Sequence, residues 1–466
     1  MNSNNPRPTG GRVFSVVSQL NKQLSVAAKF GLRSVVSVAL CSLAMGTSAS
    51  GLNLEGLGIR AVGMGGAFIS VADDASAIYW NPAGLSQLRG SGFSFGVYSM
   101  TPHISDRDGA SNNSALDGSF DPNKGDAFPA FVATEPSNFD DHEEDWLSAA
   151  TMPAFVYFKN FGRYTIAGGV YGVGGAYSTY DDSIYDPSNN AKIDADVFAI
   201  LGLMAFNTSV GYQLTEKLSV GVGVDVLYSL FRVDLDKDYH DPSENPGSYE
   251  YKAKVREWGI GLQGNLGVLY RFNEKFSLGL DYKTGSSFDL EGETRVKLRG
   301  TGAPFQADEK SDSRSQFKYA PSLGIGFSYR PNSDLLFAVD VVGTDWRDFN
   351  WMGSTAVYDT PGTLLQNQDG DPKWELAYTY RAGVEWRYTD HVTLRAGYMQ
   401  EDSGVPSNFE NVTTTTIGDI RIFNVGAGVM YDKWKVDYLL GVMWGDNGGG
   451  VEHLCADVGI QFSRMF

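Results

Sequence analysis

Trp374-Glu375-Leu376-Ala377-Tyr378-Thr379-Tyr380-Arg381-Ala382-Gly383-Val384-Glu385-Trp386-Arg387-Tyr388 falls into two sets when read by twos. One set is Trp, Leu, Tyr, Tyr, Ala, Val, Trp, Tyr; the other is Glu, Ala, Thr, Arg, Gly, Glu, Arg. A period of two means a β-strand with one apolar and one polar face. Trp258–Tyr270 repeats the pattern, as do Phe317–Tyr329, with Lys318, Ser322, Gly324, Gly326 and Ser328 on the polar side, and Trp434–Trp444, with Lys435 and Asp437. Aromatic residues bracket these strands: Trp374 with Trp386–Tyr388, Trp258 with Tyr270, and Trp434 with Trp444. That is where the interfacial girdles of a membrane barrel stand. The polar face, rich in Gly and charge, suits a crowded wet lumen better than a solvent face. The apolar face is therefore expected to meet lipid, where every backbone N–H and C=O must be paired and the sheet must close.

Short turns recur at 159–162, 215–217, 273–275, 332–334, 389–391 and 432–433, and long polar loops rich in Asp, Asn, Pro and Gly lie between them. Short turns at one end and long loops at the other are the asymmetry of an outer-membrane barrel. The six turns join twelve strands. A strand near Ser91–Met100 precedes them and another at 452–466 closes the chain, which gives fourteen. The final strand points Leu454, Ala456, Val458, Ile460, Phe462 and the terminal Phe466 outward. A C-terminal Phe on such a strand resembles the signal read by the barrel-assembly machinery, an expected partner together with outer-membrane lipid.

Composition agrees. The chain has 466 residues with a formal net charge of −18, 55 Gly and 13 % aromatics. That excludes a basic nucleic-acid binder. Two Cys exclude a disulfide scaffold. No run of 18 apolar residues exists for a membrane-spanning helix. The front of the chain reads as a leader: Arg7, Arg12, Lys22, Lys29 and Arg33 without an acid, an apolar stretch Ser34–Met45, then the small residues Gly46-Thr47-Ser48-Ala49-Ser50. Residues 1–49 are expected to be a secretory signal peptide, cut after Ala49 or Ser50. Loss of residues 1–50 removes five cations, leaving 32 basic against 55 acidic residues, and strands Cys455 without a partner.

Catalytic patterns fail on context. Gly92-Phe93-Ser94-Phe95-Gly96 matches a nucleophile elbow but lies inside an alternating strand. Gly259-Ile260-Gly261-Leu262-Gln263-Gly264 matches a dinucleotide fingerprint, yet no helix follows it. The five His are scattered without metal-ligand spacing. Asp140-Asp141-His142-Glu143-Glu144-Asp145 lacks the spaced ligands and central Gly of a calcium loop. No enzyme, cofactor or metal site is expected.

Residues 50–90 break the pattern. They carry Gly56-Leu57-Gly58-Ile59-Arg60-Ala61, then Ala72-Asp73-Asp74-Ala75, then Asn81-Pro82-Ala83. A compact, Gly-punctuated segment before the first strand is expected to fill the lumen of the barrel formed by 91–466. In these three motifs and their order the chain resembles the FadL family of outer-membrane transporters of long-chain fatty acids and other hydrophobic compounds. The resemblance implies a fourteen-stranded antiparallel transmembrane β-barrel with the N-terminal segment as a hatch, its motif residues Gly56, Gly58, Arg60, Asp73, Asp74, Asn81, Pro82 and Ala83 included. It further implies passive uptake, with ligand leaving sideways into the bilayer at a kink in the third strand. That strand offers Gly168, Gly169, Gly172, Gly174 and Gly175. So many Gly weaken a ladder and permit a bulge.

A long-chain fatty acid is the expected ligand, and a carboxylate head wants an inward cation: by strand phase the candidates are Lys318, Arg381 and Arg395. Outer loops near 233–252 and 290–314 are polar, so an apolar mouth is sought in the next loop, at Trp346, Phe349, Trp351 and Met352. Alternatives are the same fold carrying aromatic or alkane hydrocarbons, or a structural or adhesion barrel that transports nothing.

Overall fold

Strand pairing runs almost unbroken through the computed structural model of the chain, which describes residues 56–106, 150–186, 191–240, 249–300, 306–348, 356–367, 374–404, 419–446 and 451–466. The strands in chain order are β1 Ser91–Asp106, β2 Ala150–Asn160, β3 Tyr164–Asp186, β4 Ala191–Gln213, β5 Leu218–His240 and β6 Tyr249–Arg271. Next come β7 Phe276–Lys283, β8 Ser286–Gly300, β9 Ala307–Tyr319, β10 Ser322–Tyr329, β11 Leu335–Asp345 and β12 Val357–Tyr358. The last are β13 Leu376–Arg387, β14 Val392–Glu401, β15 Asp419–Tyr431, β16 Trp434–Asp446 and β17 Val451–Met465. β7 and β8 are halves of one stave, broken at Thr284-Gly285, and β9 and β10 are halves of the next, broken at Ala320-Pro321. β12 is a two-residue bridge to β9. Fourteen antiparallel staves remain, and β1 pairs with both β2 and β17 to close the barrel.

The six short turns lie where the alternation places them. Apolar side chains on the outer face stay open: Val222 is 49 % exposed, Leu262 65 % and Leu440 62 %. Their partners on the other face (Asp225, Asn265, Asp281, Asp340, Asp437) are buried. Such an inside-out distribution belongs in lipid. Trp386, Tyr388 and Trp444 are exposed at strand ends, as girdle residues should be. Trp374 departs from that expectation. It precedes β13, which starts at Leu376, and is buried with its ring 5.5 Å from Trp346.

Two further departures have physical causes. The breaks at Thr284-Gly285 and Ala320-Pro321 reverse the phase of the strands they interrupt. In β10, Gly324, Gly326 and Ser328 face in; in β9, Ser313, Ser315, Phe317 and Tyr319 do. Proline cannot donate to a ladder, so a strand crossing Pro321 must shift. Second, much of the stretches expected as polar loops, 233–252 and 290–314, is strand. Polarity inverts beyond the apolar band. On β5 the outward run Val222, Val224, Val226, Tyr228, Leu230 gives way to Arg232, Asp234, Asp236, while the inward run becomes Phe231, Val233, Leu235. On β6, Lys252, Lys254 and Arg256 turn outward above Trp258, and Tyr251, Ala253 and Val255 turn in. Above the membrane β5, β6 and β8 form a collar wall that is charged outside and largely apolar inside.

Candidate functional site

The segment 56–90 contains helix α1, Ile59–Val62, helix α2, Ala77–Trp80, and a 3-10 turn, Pro82–Gln87. Its side chains are almost wholly buried, and it bonds to staves around the barrel: Ile59 N–H to Gln461 on β17, Phe68 and Ile69 N–H to Asp340 on β11, and Asn81 to the Val268 carbonyl on β6. It therefore lies within the lumen. Each sequence motif has a structural role there. Asn81 donates from Nδ2 to the carbonyls of Ile69 (2.9 Å) and Val268 (3.0 Å), and its Oδ1 accepts the Ala83 N–H, capping the turn that Pro82 starts. The wall is cut away to receive it. A Cβ at Gly221 or Gly267 would fall on the Asn81-Pro82-Ala83 segment. Gly56 and Gly58 take φ of +130° and +90°, where a side chain would also strike Trp80 or Ser76. This lets Leu57 present its carbonyl to the Trp80 indole at 2.7 Å.

Arg60 joins segment and wall. It is 8 % exposed and bonds Asp73 at 2.5 Å, Asp74 at 3.4 Å and Glu385 at 2.7 Å. Burial pulls its guanidinium pKa down, but Asp73, Glu385 and Asp74 outweigh that and hold it well above the ordinary value. Glu385 is shared with Arg395, which also bonds Asp437 at 2.8 Å; Lys435 joins Asp437 at 3.2 Å, and Arg330 joins Asp73 at 3.1 Å. The cluster balances four cations against four carboxylates.

Beside the segment lies a cavity walled by Tyr79 and Trp80 from α2, Tyr171 from β3, Tyr319 from β9, and the charged Asp225, Asp281, Lys283 and Arg381. Tyr79 packs edge-on to Trp80 (4.9 Å) and Tyr171 (5.9 Å). Asp225 accepts from Tyr171 Oη at 2.9 Å and Asn207 at 2.8 Å, and Lys283 bonds Asp281 at 2.7 Å while standing over the Tyr79 ring. Arg381 stands over Trp80 at 5.2 Å and makes no hydrogen bond or ion pair among the described residues, its buried Nε included.

The three cations singled out by strand phase thus part company. Arg381 reaches the cavity; Arg395 is consumed by Glu385 and Asp437; and Lys318 sits between the inward Phe317 and Tyr319, on the outer face, because the phase reverses at Pro321. Lys318 is withdrawn as a lumenal candidate. Trp346 is not an exposed mouth residue. It is fully buried among apolar lumenal side chains; Phe349, Trp351 and Met352 lie outside the described residues, as do the leader and the acidic stretch 140–145. Lys283 was missed, although it alternates with Asp281 in a strand. Asp236, Asp238 and Glu250 group on the collar's outer face, but Lys252 already occupies the group through Asp236 (2.6 Å) and Glu250 (2.5 Å).

The glycines of β3 coincide with an irregularity. Gly172 pairs with Met204 but Gly174 pairs with Leu203, so Val173 is the extra residue of a bulge. β2 pairs with β3 only from Asn160↔Thr165 to Phe155↔Val170, although it follows β1 as far as Ala150↔Met100. A cleft at this seam is lined by Gly56, Leu57, Pro153, Ala154 and Gly172.

The family model described as "Outer membrane protein transport protein (OMPP1/FadL/TodX)" matches residues 35–450. The chain belongs to this family. It is 22 % identical over 437 residues to a long-chain fatty acid transport protein of Salmonella typhi, covering 86 % of this chain and 88 % of that one. It is 23 % identical over 286 residues to outer membrane protein P1 of Haemophilus influenzae, covering 54 % and 56 %. Among solved structures, a Pseudomonas aeruginosa FadL homologue superposes with a TM-score of 0.65 at 13 % identity, over 89 % of this chain and 100 % of that one. The Pseudomonas putida toluene transporter TodX gives 0.65 at 17 % identity, over 89 % and 99 %. These likenesses show the fold. This member of the FadL/TodX family is an outer-membrane transport channel for hydrophobic compounds, not an enzyme.

Proposed function

We propose that this channel carries long-chain fatty acids passively across the outer membrane and releases them sideways into the bilayer. The observation that carries the reading is Arg381: a lumenal guanidinium without an ion pair among the described residues, over Trp80, in a cavity whose wall combines the rings of Tyr79, Tyr171 and Tyr319 with Asp225, Asp281 and Lys283. Asp340 faces it across the ladder and Asp281 shares the cavity, yet neither bonds it, so an incoming carboxylate can meet its free N–H groups with charge-assisted hydrogen bonds. An acyl chain loses about 0.8 kcal/mol per CH₂ on leaving an apolar environment, so exit into lipid is the downhill route and needs no coupled energy. The Val173 bulge and the unpaired edge of β2 support an exit at that seam. The segment 56–90 acts as the hatch that keeps the lumen from being an open pore.

The test is uptake of labelled oleate by cells that lack their own transporter. Arg381→Gln is expected to slow it about tenfold, the equivalent of one charge-assisted bond. Equal rates with and without the wild-type protein would refute the reading. A second reading, aromatic hydrocarbons, draws on the four rings of Tyr79, Trp80, Tyr171 and Tyr319 around the same cavity. It expects toluene uptake that Arg381→Gln leaves intact.

A further inference from the structure

The outer end of β9 carries a short piece of chain folded over the lumen. β9 pairs with β8 and so continues the collar, with Ser311, Ser313 and Ser315 on its inner face. Residues 356–367 attach to it. Val357 and Tyr358 pair with Arg314 and Ser313, and the same register brings Thr360 opposite Ser311, whose Oγ accepts the Thr360 N–H at 2.9 Å. The chain then turns at Gly362, whose N–H reaches the Leu365 carbonyl at 2.9 Å. Glu309 holds that turn. Its Oε1 accepts from the Thr363 N–H at 2.9 Å, and its Oε2 accepts from those of Leu364 at 2.9 Å and Leu365 at 3.0 Å. Successive backbone N–H groups around one carboxylate form a nest for an anion. A Cβ at Gly362 would fall on the same carboxylate.

The piece has two sides. Residues 359–363, 366 and 367 are exposed, whereas Leu364 and Leu365 are buried in the apolar cluster that includes the collar wall and Trp346. The two leucines cover apolar wall that would otherwise meet water. Thr360, Thr363, Leu364 and Leu365 all bond to β9, so the piece is tethered along one stave. We propose that residues 356–367 are a lid on the outer mouth of the lumen, latched by Glu309. Leu364 and Leu365 fill apolar space that an entering ligand takes over when the lid lifts. A hydrophobic ligand replaces the burial that the leucines lose and water does not, so such a ligand shifts the lid toward its open state. The inference rests on the channel, whichever hydrophobic compound it carries.

The full-length protein in intact cells tests the lid in two ways. Ser311→Cys with Thr360→Cys places a disulfide between lid and β9. Oxidised, with both thiols consumed, this variant should take up oleate and toluene no faster than cells without the protein, and reduction should restore the rates. Wild type treated with the same oxidant is the control. Leu364→Cys and Leu365→Cys report opening through labelling by a membrane-impermeant maleimide. Adding Glu309→Ala to either should speed labelling about tenfold, again the equivalent of one charge-assisted bond, at unchanged heat-modifiable mobility. Glu309→Gln, which keeps one acceptor oxygen, should fall between. Full uptake by the oxidised variant, or labelling that Glu309→Ala leaves unchanged in both reporters, would overturn the lid. If wild type carries neither oleate nor toluene, the fatty-acid and aromatic readings fail, and labelling alone decides the lid.

Discussion

At the residue scale, Glu385 is the most exacting position in the barrel wall. It holds Arg60 from the lumenal segment and Arg395 from the neighbouring stave, each at 2.7 Å, and all three side chains are largely buried. Removing one member of such a cluster leaves uncompensated charge, so Glu385→Gln is expected to cost about 3–5 kcal/mol. The measurement is the temperature at which the folded barrel loses its compact mobility in electrophoresis; a midpoint equal to wild type would refute the account. Gly267→Ala tests a different contact. Its Cβ would land on Asn81 and Pro82, and overpacking there is expected to cost about 1–3 kcal/mol. The same substitution at Gly162, where the added carbon meets nothing but φ is +85°, separates contact from backbone strain. Arg381 and Arg395 also mark how far a sequence speaks at this scale. Strand phase turns both inward, and the structure does too. Only the third dimension shows that Arg395 has Asp437 beside it, 42 residues on, and that Arg381 has no hydrogen bond among the described residues.

At the scale of elements, the third strand and the broken staves make opposite points. The glycine density of β3 was legible as a weakness, and the bulge sits among those glycines, at Val173. Deleting Val173 would bring the β3–β4 register into step. Under the lateral-exit proposal, oleate uptake should then fall at least about fivefold while the folded barrel keeps its heat-modifiable mobility, because a bulge is a local irregularity in one ladder. Undiminished uptake would remove the exit from this seam. The stave made of β9 and β10 misleads instead. Read continuously from Phe317 to Tyr329 it has a polar face containing Lys318, yet Ala320-Pro321 resets the alternation and places that lysine outside. The proline was the available signal, since a central strand does not carry one without a shift.

For the whole molecule, barrel class, stave number and closure were legible because lipid imposes a period of two on every stave it touches. The collar was hidden for the same reason: beyond the lipid, the outer face turns charged and the inner face apolar, and stretches such as 233–240 look like polar loop. The closing strand carries a prediction of its own. Phe466 donates its N–H to the Ser91 carbonyl at 2.8 Å, and its ring lies 6.1 Å from Phe93 at the seam where first and last staves meet. Deleting Phe466 should lower the yield of folded protein in the outer membrane several-fold, measured as the heat-modifiable fraction, while oleate uptake per folded molecule is retained. Uptake per molecule lost in proportion would place Phe466 in transport rather than in assembly.

The ion cluster around Arg60 also orders events in time. Its partners come from opposite ends of the chain: Arg60 meets Glu385 across 325 residues, and Ile59 meets Gln461 across 402. Contacts so remote in sequence bring no stabilisation until the intervening chain has been organised. The segment 56–90 is translated before any stave, yet it settles after nearly all of them. Until β17 closes on β1 it must travel as an unsatisfied, charge-bearing tail.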